Sequence, residues 1–246
     1  MTRPILYVNG DSHAAAAEAA NPCAFAEDDP EFAHLGRGPH PANARVSWAQ
    51  QLAEQINYDL VLDAESASSN ARIIRTTSDW IKANQDLWPK TLVVIQWSTW
   101  EREEWIDSQG DYYQVNASGV DQVPKDLQDQ YKHFVANVDW LIKTQHAHDQ
   151  IHAFHLDLKE KNIDHVFFNG NNDFSKIATR VNWHGSYMDP YSPDLTYNAI
   201  LRKTGFKPVA QHSWHFGKNA HCFWADIMLQ YLHHHNLVSD HELRTD

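Results

Sequence analysis

The feature that most restricts the fold is the run Thr91-Leu92-Val93-Val94-Ile95. A stretch of apolar residues without polar alternation is the mark of a strand covered on both faces. The chain must therefore place a layer of helices on each side of its sheet. Three further stretches read as strands: Ile5-Leu6-Tyr7-Val8, Tyr58-Asp59-Leu60-Val61-Leu62 and His165-Val166-Phe167-Phe168. Phe206 to Ala210 supplies a fifth. Helical character separates them at Ala14–Ala20, Val46–Ile56, Ala71–Leu87, Leu127–Ile142 and Ile151–Leu158, and a last helix opens at Gly217-Lys218-Asn219. This alternation, with connections long enough for parallel crossovers, predicts a three-layer α/β/α fold with a parallel sheet of about five strands. There is no repeat, linker or low-complexity boundary, so residues 1–246 read as a single domain.

Composition narrows the partners. The formal charge of −12 argues against a nucleic-acid backbone or an anionic membrane. Cys23 and Cys222 are the only cysteines and imply no disulfide framework. Residues 1–20 carry Asn9, Asp11 and Glu18 and make a poor secretory signal, and no run reaches the roughly 20 apolar residues of a membrane span. The expectation is a soluble protein, cytoplasmic or virion-associated, needing no cofactor and no metal.

Chemistry-bearing residues fall at the carboxyl ends of the strands. These are Ser12 in Asn9-Gly10-Asp11-Ser12-His13, the turn Ser66–Asn70, Ser98–Thr99, and Asn169–Asp173. A parallel sheet brings such turns to one edge. His215 and His221, beside and within the last helix, can reach the same edge. Ser12 suits an exposed nucleophile beside free backbone N–H groups at a helix start, and taken alone the stretch more simply makes Asp11 or Ser12 a helix N-cap. Residues 21–45, rich in Pro, Gly and His, form a long loop that reads either as a lid over Ser12 or as a surface excursion. The segment from Trp97 to Tyr113 reads either as a sugar-stacking surface or as aromatics packing an insertion onto the core.

In this order the blocks resemble the GDSL/SGNH hydrolase family, a flavodoxin-like α/β fold. Gly10-Asp11-Ser12 matches the first block. Ser66 and Ala67 stand where the second has glycine, ahead of Ser68-Ser69-Asn70-Ala71-Arg72. The third block, Gly-x-Asn-Asp in the family, reads Gln96-Trp97-Ser98-Thr99, and the last, Asp-x-x-His, reads His212-Ser213-Trp214-His215. Ser68-Ser69-Asn70 and Trp100-Glu101-Arg102 resemble members encoded by tailed bacteriophages.

The resemblance implies that Ser12 attacks an ester carbonyl and His215 is its base. Oxyanion donors come from the N–H groups of Ser12 and Ala67 or Ser66, and from the Ser98 hydroxyl. Asp11, His13, Asn70, Glu101, Asp173 and His212 are further lining candidates. The triad acid is missing, with Asp189 and Asp194 the nearest replacements in sequence. The implied substrate is a small carboxylic ester or an acetylated carbohydrate. Two other readings compete: a catalytically impaired module of the same fold kept for binding, and a metal-dependent phosphoesterase. The second rests on Asp11-x-His13 and Gly170-Asn171-Asn172-Asp173. Arg72 and Arg75 are either receptors for an acidic substrate or partners of a carboxylate such as Asp79.

Overall fold

Ile5–Asn9 (β1) lies at the middle of the sheet. It pairs in parallel with Asp59–Leu62 (β2) on one side and with Thr91–Trp97 (β3) on the other. β3 in turn pairs in parallel with Asp164–Asn169 (β6). The order is β2-β1-β3-β6, with Val8 level with Leu62 and with Val94, and Gln96 level with Phe168. The chain thus runs outward from β1 to β2 and then crosses back to β3. That reversal opens a crevice between the carboxyl ends of β1 and β3, the position where open α/β sheets carry their ligands. The computed structural model describes residues 3–26, 38–116 and 123–238.

Alternate strand residues feed two cores, as the pleat requires. Leu6, Val8, Val94, Val166 and Phe168 pack against Trp48–Ile56 (α2) and Lys218–His234 (α7), through Trp48, Leu52, Trp224 and Met228. Tyr7, Val93, Ile95, Trp97 and Phe167 face the other way, toward Asn70–Ala83 (α3) and Trp140–Glu160 (α5), meeting Ile73, Ile151, Phe154 and Leu158. Two short helices, Pro41–Ala44 (α1) and Tyr197–Lys203 (α6), and the helix Gln128–Asn137 (α4) complete the set. Side-chain caps fix the starts: Ser47 Oγ accepts from Gln50 N, Ser69 Oγ from Arg72 N and Thr196 Oγ1 from Ala199 N.

Four differences from the sequence expectation have physical causes. The main sheet has four strands among the described residues, because Phe206–Ala210 makes only the single bridge Pro208–Phe216. Proline has no N–H to extend a ladder there. The connection after β3 holds an antiparallel hairpin, Glu103–Ile106 (β4) with Tyr112–Val115 (β5), turned by Gly110 at φ 94°. Its aromatics pack inward: Trp97, Trp100 and Trp105 are buried, and Trp100 stacks flat on Phe174 at 4.8 Å. Leu127–Ile142 is two helices, not one, since Asp139 leaves helical geometry to cap α5 through the N–H groups of Leu141 and Ile142.

The fourth difference is that Ala14–Ala20 is not a helix. Ala16 and Glu18 have φ of 52° and 62°, in the left-handed region. Ala15 N donates to Asp11 O, Ala17 N to Ser12 O, and both Ala20 N and Asn21 N to Asn43 Oδ1. Ala14 to Ala17 are completely buried. Alanine is there because nothing larger fits, and packing overrides its helix propensity.

Between α5 and β6, His155 Nδ1 lies 2.8 Å from His165 Nε2, and His165 Nδ1 donates to Ile163 O at 2.8 Å. This chain requires His165 Nε2 to be unprotonated, with His155 donating from Nδ1. Burial lowers both to about 4; His165 and Lys159 push His155 the same way, while the Ile163 bond works against burial at His165. His148, on the same helix, is also lowered by burial. The unfolded chain takes up these protons near pH 6.5, so below that pH it binds more protons than the fold does. Stability is therefore full above about pH 6.5 and falls as pH drops toward 4. Urea unfolding midpoints measured across that window are expected to decline steadily, and a flat series would contradict this account.

Candidate active site

Ser12 stands where the chain leaves β1, on a turn held from below by one side chain. Gln96 Oε1 accepts from both Asp11 N and Ala14 N at 3.2 Å, while its Nε2 donates to Trp97 O at 2.8 Å. The packing is close enough to require glycine at two positions. A Cβ on Gly10 would lie 2.7 Å from Ala14 Cβ, and one on Gly170 would collide with Gln96 Nε2.

Beneath the turn, Asp11 is buried and charged. Its Oδ1 accepts from His13 N at 3.0 Å, and its Oδ2 accepts from Ser98 Oγ and Arg102 Nη1, both at 2.9 Å. Burial works to raise its pKa, but His13, Arg102 and these hydrogen bonds outweigh it, and the carboxyl lies below its usual range. A guanidinium thus lies against Asp11, the carboxylate that the phosphoesterase reading offers to a metal ion. Among the described residues no group of three or more His, Cys, Asp or Glu is placed to hold one.

His215 meets an acid that the sequence reading did not single out. Its Nδ1 is 2.8 Å from Glu18 Oε2. Ser213 Oγ donates to the same carboxylate oxygen and accepts from His215 N at 3.0 Å. Burial raises the Glu18 pKa, yet the bonds from Ser213 and His215 prevail and keep it below the ordinary range. An ionised Glu18 accepts a hydrogen bond from Nδ1–H, which leaves the imidazole lone pair on Nε2. The carboxylate beside His215 therefore comes from the turn that follows Ser12, not from the residue three before the histidine. His212, at that position, is exposed; Asp189 caps Tyr191 N and Asp194 pairs with Lys203. Reading Ala14–Ala20 as a helix hid Glu18. Its one signal was a lone carboxylate within a run of alanines.

Ser12, Ser66, Ala67, His13, Glu101, Asp173 and His215 line one cleft of about 780 Å³. Ser12 Oγ makes no hydrogen bond among the described residues, and the N–H groups of Ser12, Ser66 and Ala67 have no internal acceptor there. Ala67 sits at φ 69°, the geometry that explains glycine in the family block, here adopted by a residue with a Cβ. Its turn is braced by Arg72, whose Nη2 pairs with Glu65 Oε2 at 2.9 Å and whose Nη1 donates to Asp63 O. Arg75 pairs instead with Glu104 at 2.7 Å and approaches Asp79 at 3.9 Å.

Other candidates lie elsewhere. Ser98 is buried with its hydroxyl proton on Asp11, so it is not aimed into the cleft, and Asn70 clamps the Ser98 backbone through Ser98 N at 2.8 Å. Thr99 takes Ser98's place on the cleft wall. His221 accepts from Trp48 N at 3.3 Å and belongs to the core, where burial lowers it to about 3. His13 is buried beside His215, ring centroids 5.5 Å apart, and burial lowers it to about 4 against the pull of Asp11. Its Nε2 accepts from Asn198 Nδ2 at 3.2 Å. Of the proposed lid, Ala24 lines the cleft, while residues 27–37 lie outside the described residues.

No family model and no curated protein matches the chain. Among solved structures it is similar to an acetyl xylan esterase, Est2A, from the rumen bacterium Butyrivibrio proteoclasticus, at TM-score 0.47 and 12% identity. That match covers 95% of this chain and 64% of the esterase, so the chain spans less than two thirds of that protein's length. A carbohydrate esterase whose active site displays divergent catalytic and non-catalytic binding functions aligns at TM-score 0.47 and 15% identity, covering 95% of this chain and 69% of that one. A lipolytic protein of the G-D-S-L family from Desulfitobacterium hafniense DCB-2 gives 0.36 and 12%, covering 94% and 100%.

The Arg72–Glu65 pair is almost fully buried on both sides. Replacing Arg72 by Met takes the guanidinium away from the buried Glu65 carboxylate and is expected to cost about 3–5 kcal/mol of stability. Chemical denaturation of the variant checks this, and an unchanged midpoint would show that the pair does not brace the turn.

Proposed function

We propose that the protein is a serine hydrolase of carboxylic esters, of the SGNH type, working through Ser12, His215 and Glu18. The observation that carries this reading is the Glu18–His215 hydrogen bond at the rim of the cleft that Ser12 lines. It leaves the Nε2 lone pair of His215 for the serine proton. Ser12 Oγ attacks the ester carbonyl as its proton passes to His215 Nε2, and Glu18 stabilises the imidazolium that forms. The negative charge on the carbonyl oxygen falls to the N–H groups of Ser12 and Ala67 or Ser66. Each such donor is worth about 3 kcal/mol of transition-state stabilisation. Collapse of the tetrahedral intermediate breaks the ester C–O bond, and His215 hands its proton to the departing alcohol. Water, deprotonated by His215, then attacks the acyl-enzyme and releases the acid with Ser12 restored.

Unpartnered polar atoms support the same site. Buried Ser66 Oγ, Thr99 Oγ1 and Asn198 Oδ1 find no hydrogen-bond partner among the described residues, although each of these residues lines the cleft. Buried polar atoms are nearly always satisfied, so three unpaired ones in residues of a single cleft wall set that wall apart from a finished core.

Hydrolysis of p-nitrophenyl acetate by the wild type, Ser12→Ala and Glu18→Gln tests the proposal. Ser12→Ala is expected to lose at least about 10³-fold in kcat, and Glu18→Gln about 10²- to 10⁴-fold, because the amide no longer fixes the imidazole tautomer. Equal rates for wild type and Ser12→Ala would remove the catalytic assignment and leave the binding-module reading in its place.

A further inference from the structure

Two arginines line the cleft with Ser12. Arg202 is engaged with an aromatic ring, its guanidinium 5.3 Å from the centroid of the exposed Trp214. Arg102 is placed differently. Its Nη1 donates to Asp11 Oδ2 and to Ser98 Oγ, both at 2.9 Å, and Asp11 directly precedes the candidate nucleophile. Its backbone closes a turn, Arg102 N donating to Thr99 O, and the next residue, Glu103, is tied by Trp105 Nε1 and by Lys143. The guanidinium is thus held through its backbone and through one of its nitrogens. The rest of the fork is unused: Nε and Nη2 meet no acceptor among the described residues.

Arg102 also borders a smaller hollow of about 200 Å³ beside Trp100, but the carboxylates there are taken, Glu103 by Lys143 and Glu104 by Arg75. Its side chain is 20% exposed against 1% for Asp11, so part of the guanidinium reaches solvent while its partner does not. The pair is neutral as a whole and gives an uncharged ester no extra grip. Its free N–H groups gain only when negative charge develops beside them. A planar fork can keep one nitrogen on a carboxylate and offer another to a second acceptor, which a single ammonium cannot. We propose, building on the esterase reading above, that Arg102 is a catalytic residue that donates to the oxyanion alongside the N–H groups of Ser12 and Ala67 or Ser66. Ser98 cannot perform that task while its hydroxyl proton is on Asp11. As Ser12 Oγ adds to the carbonyl carbon, the π pair moves onto the carbonyl oxygen, which accepts a hydrogen bond from Arg102. No proton leaves the guanidinium. The electron pair returns to the carbonyl as the alcohol departs, and the hydrogen bond weakens again.

Arg102→Lys tests this with paired substrates, p-nitrophenyl acetate and its thiono analogue, in which sulfur replaces the carbonyl oxygen. Lysine keeps a cation for Asp11 but cannot serve the oxyanion as well. Its urea midpoint is expected to stay near that of the wild type, while kcat on the oxygen ester falls about 10²-fold and KM changes little. Sulfur is a weak hydrogen-bond acceptor, so the thiono ester is expected to lose far less. The oxygen-to-sulfur ratio of kcat/KM therefore falls by at least about tenfold. Arg102→Gln, whose amide can bond Asp11 but not the oxyanion too, is expected to lower the ratio likewise, so the test does not hang on one variant folding. A residue that only braces Asp11 would slow both substrates alike. An unchanged ratio, or wild-type kcat in Arg102→Lys, would overturn the inference. Where the wild-type activity is lost in Ser12→Ala, either result sinks this inference alone and leaves the esterase standing. Hydrolysis that survives Ser12→Ala removes the esterase reading itself, and the role of Arg102 with it.

Discussion

The site depends on one hydrogen bond, between the Glu18 carboxylate and His215 Nδ1. It joins residues 197 positions apart and fixes which nitrogen of the imidazole is free. Everything local to residues 10–20 serves to deliver that carboxylate. Gln96 pins the start of the turn through Asp11 N and Ala14 N, the buried alanines let it curl tightly, and Asn43 ties its end. Glu18 itself adopts a left-handed backbone, which a residue with a Cβ enters only at a cost of about 1–2 kcal/mol. Such strain persists where surrounding contacts over-determine it, and it gathers at working sites.

A second charge organises the floor. Asp11 draws together the ends of β1 and β3 by taking Ser98 Oγ and Arg102 on one oxygen and His13 N on the other. Removing such a charge from water is costly, and its three partners are what make it tolerable. The consequence for chemistry is a division of labour. Ser98, which sequence order offers as an oxyanion donor, holds Asp11 instead, and the cleft wall passes to Thr99 and the Ser66–Ala67 turn.

Much of the frame was legible in the sequence. The apolar run at 91–95, the strand ends and the 3.6-residue spacing of α2 and α3 gave the parallel layers and the edge to search. Ser12 and His215 do line one cleft, from opposite ends of the chain. What stayed hidden depended on contacts between distant residues. The alanine run has every local mark of a helix, and only burial against Gln96 and Asn43 makes it a turn. Phe206–Ala210 has strand composition, but Pro208 cannot complete a ladder. His221 was as plausible as His215 by position, and its role as an acceptor for the start of α2 appears only in three dimensions. The exposed indole of Trp214 was likewise unreadable, because ten tryptophans gave no hint of which ones faced water.

The most direct measurement is covalent capture of the nucleophile with a serine-reactive organophosphonate, followed by peptide mass mapping. The arrangement of Ser12, His215 and Glu18 predicts one phosphonyl group per chain, carried by Ser12. Protein that stays unlabelled, or that carries the adduct on another residue with Ser12 unmodified, would contradict it.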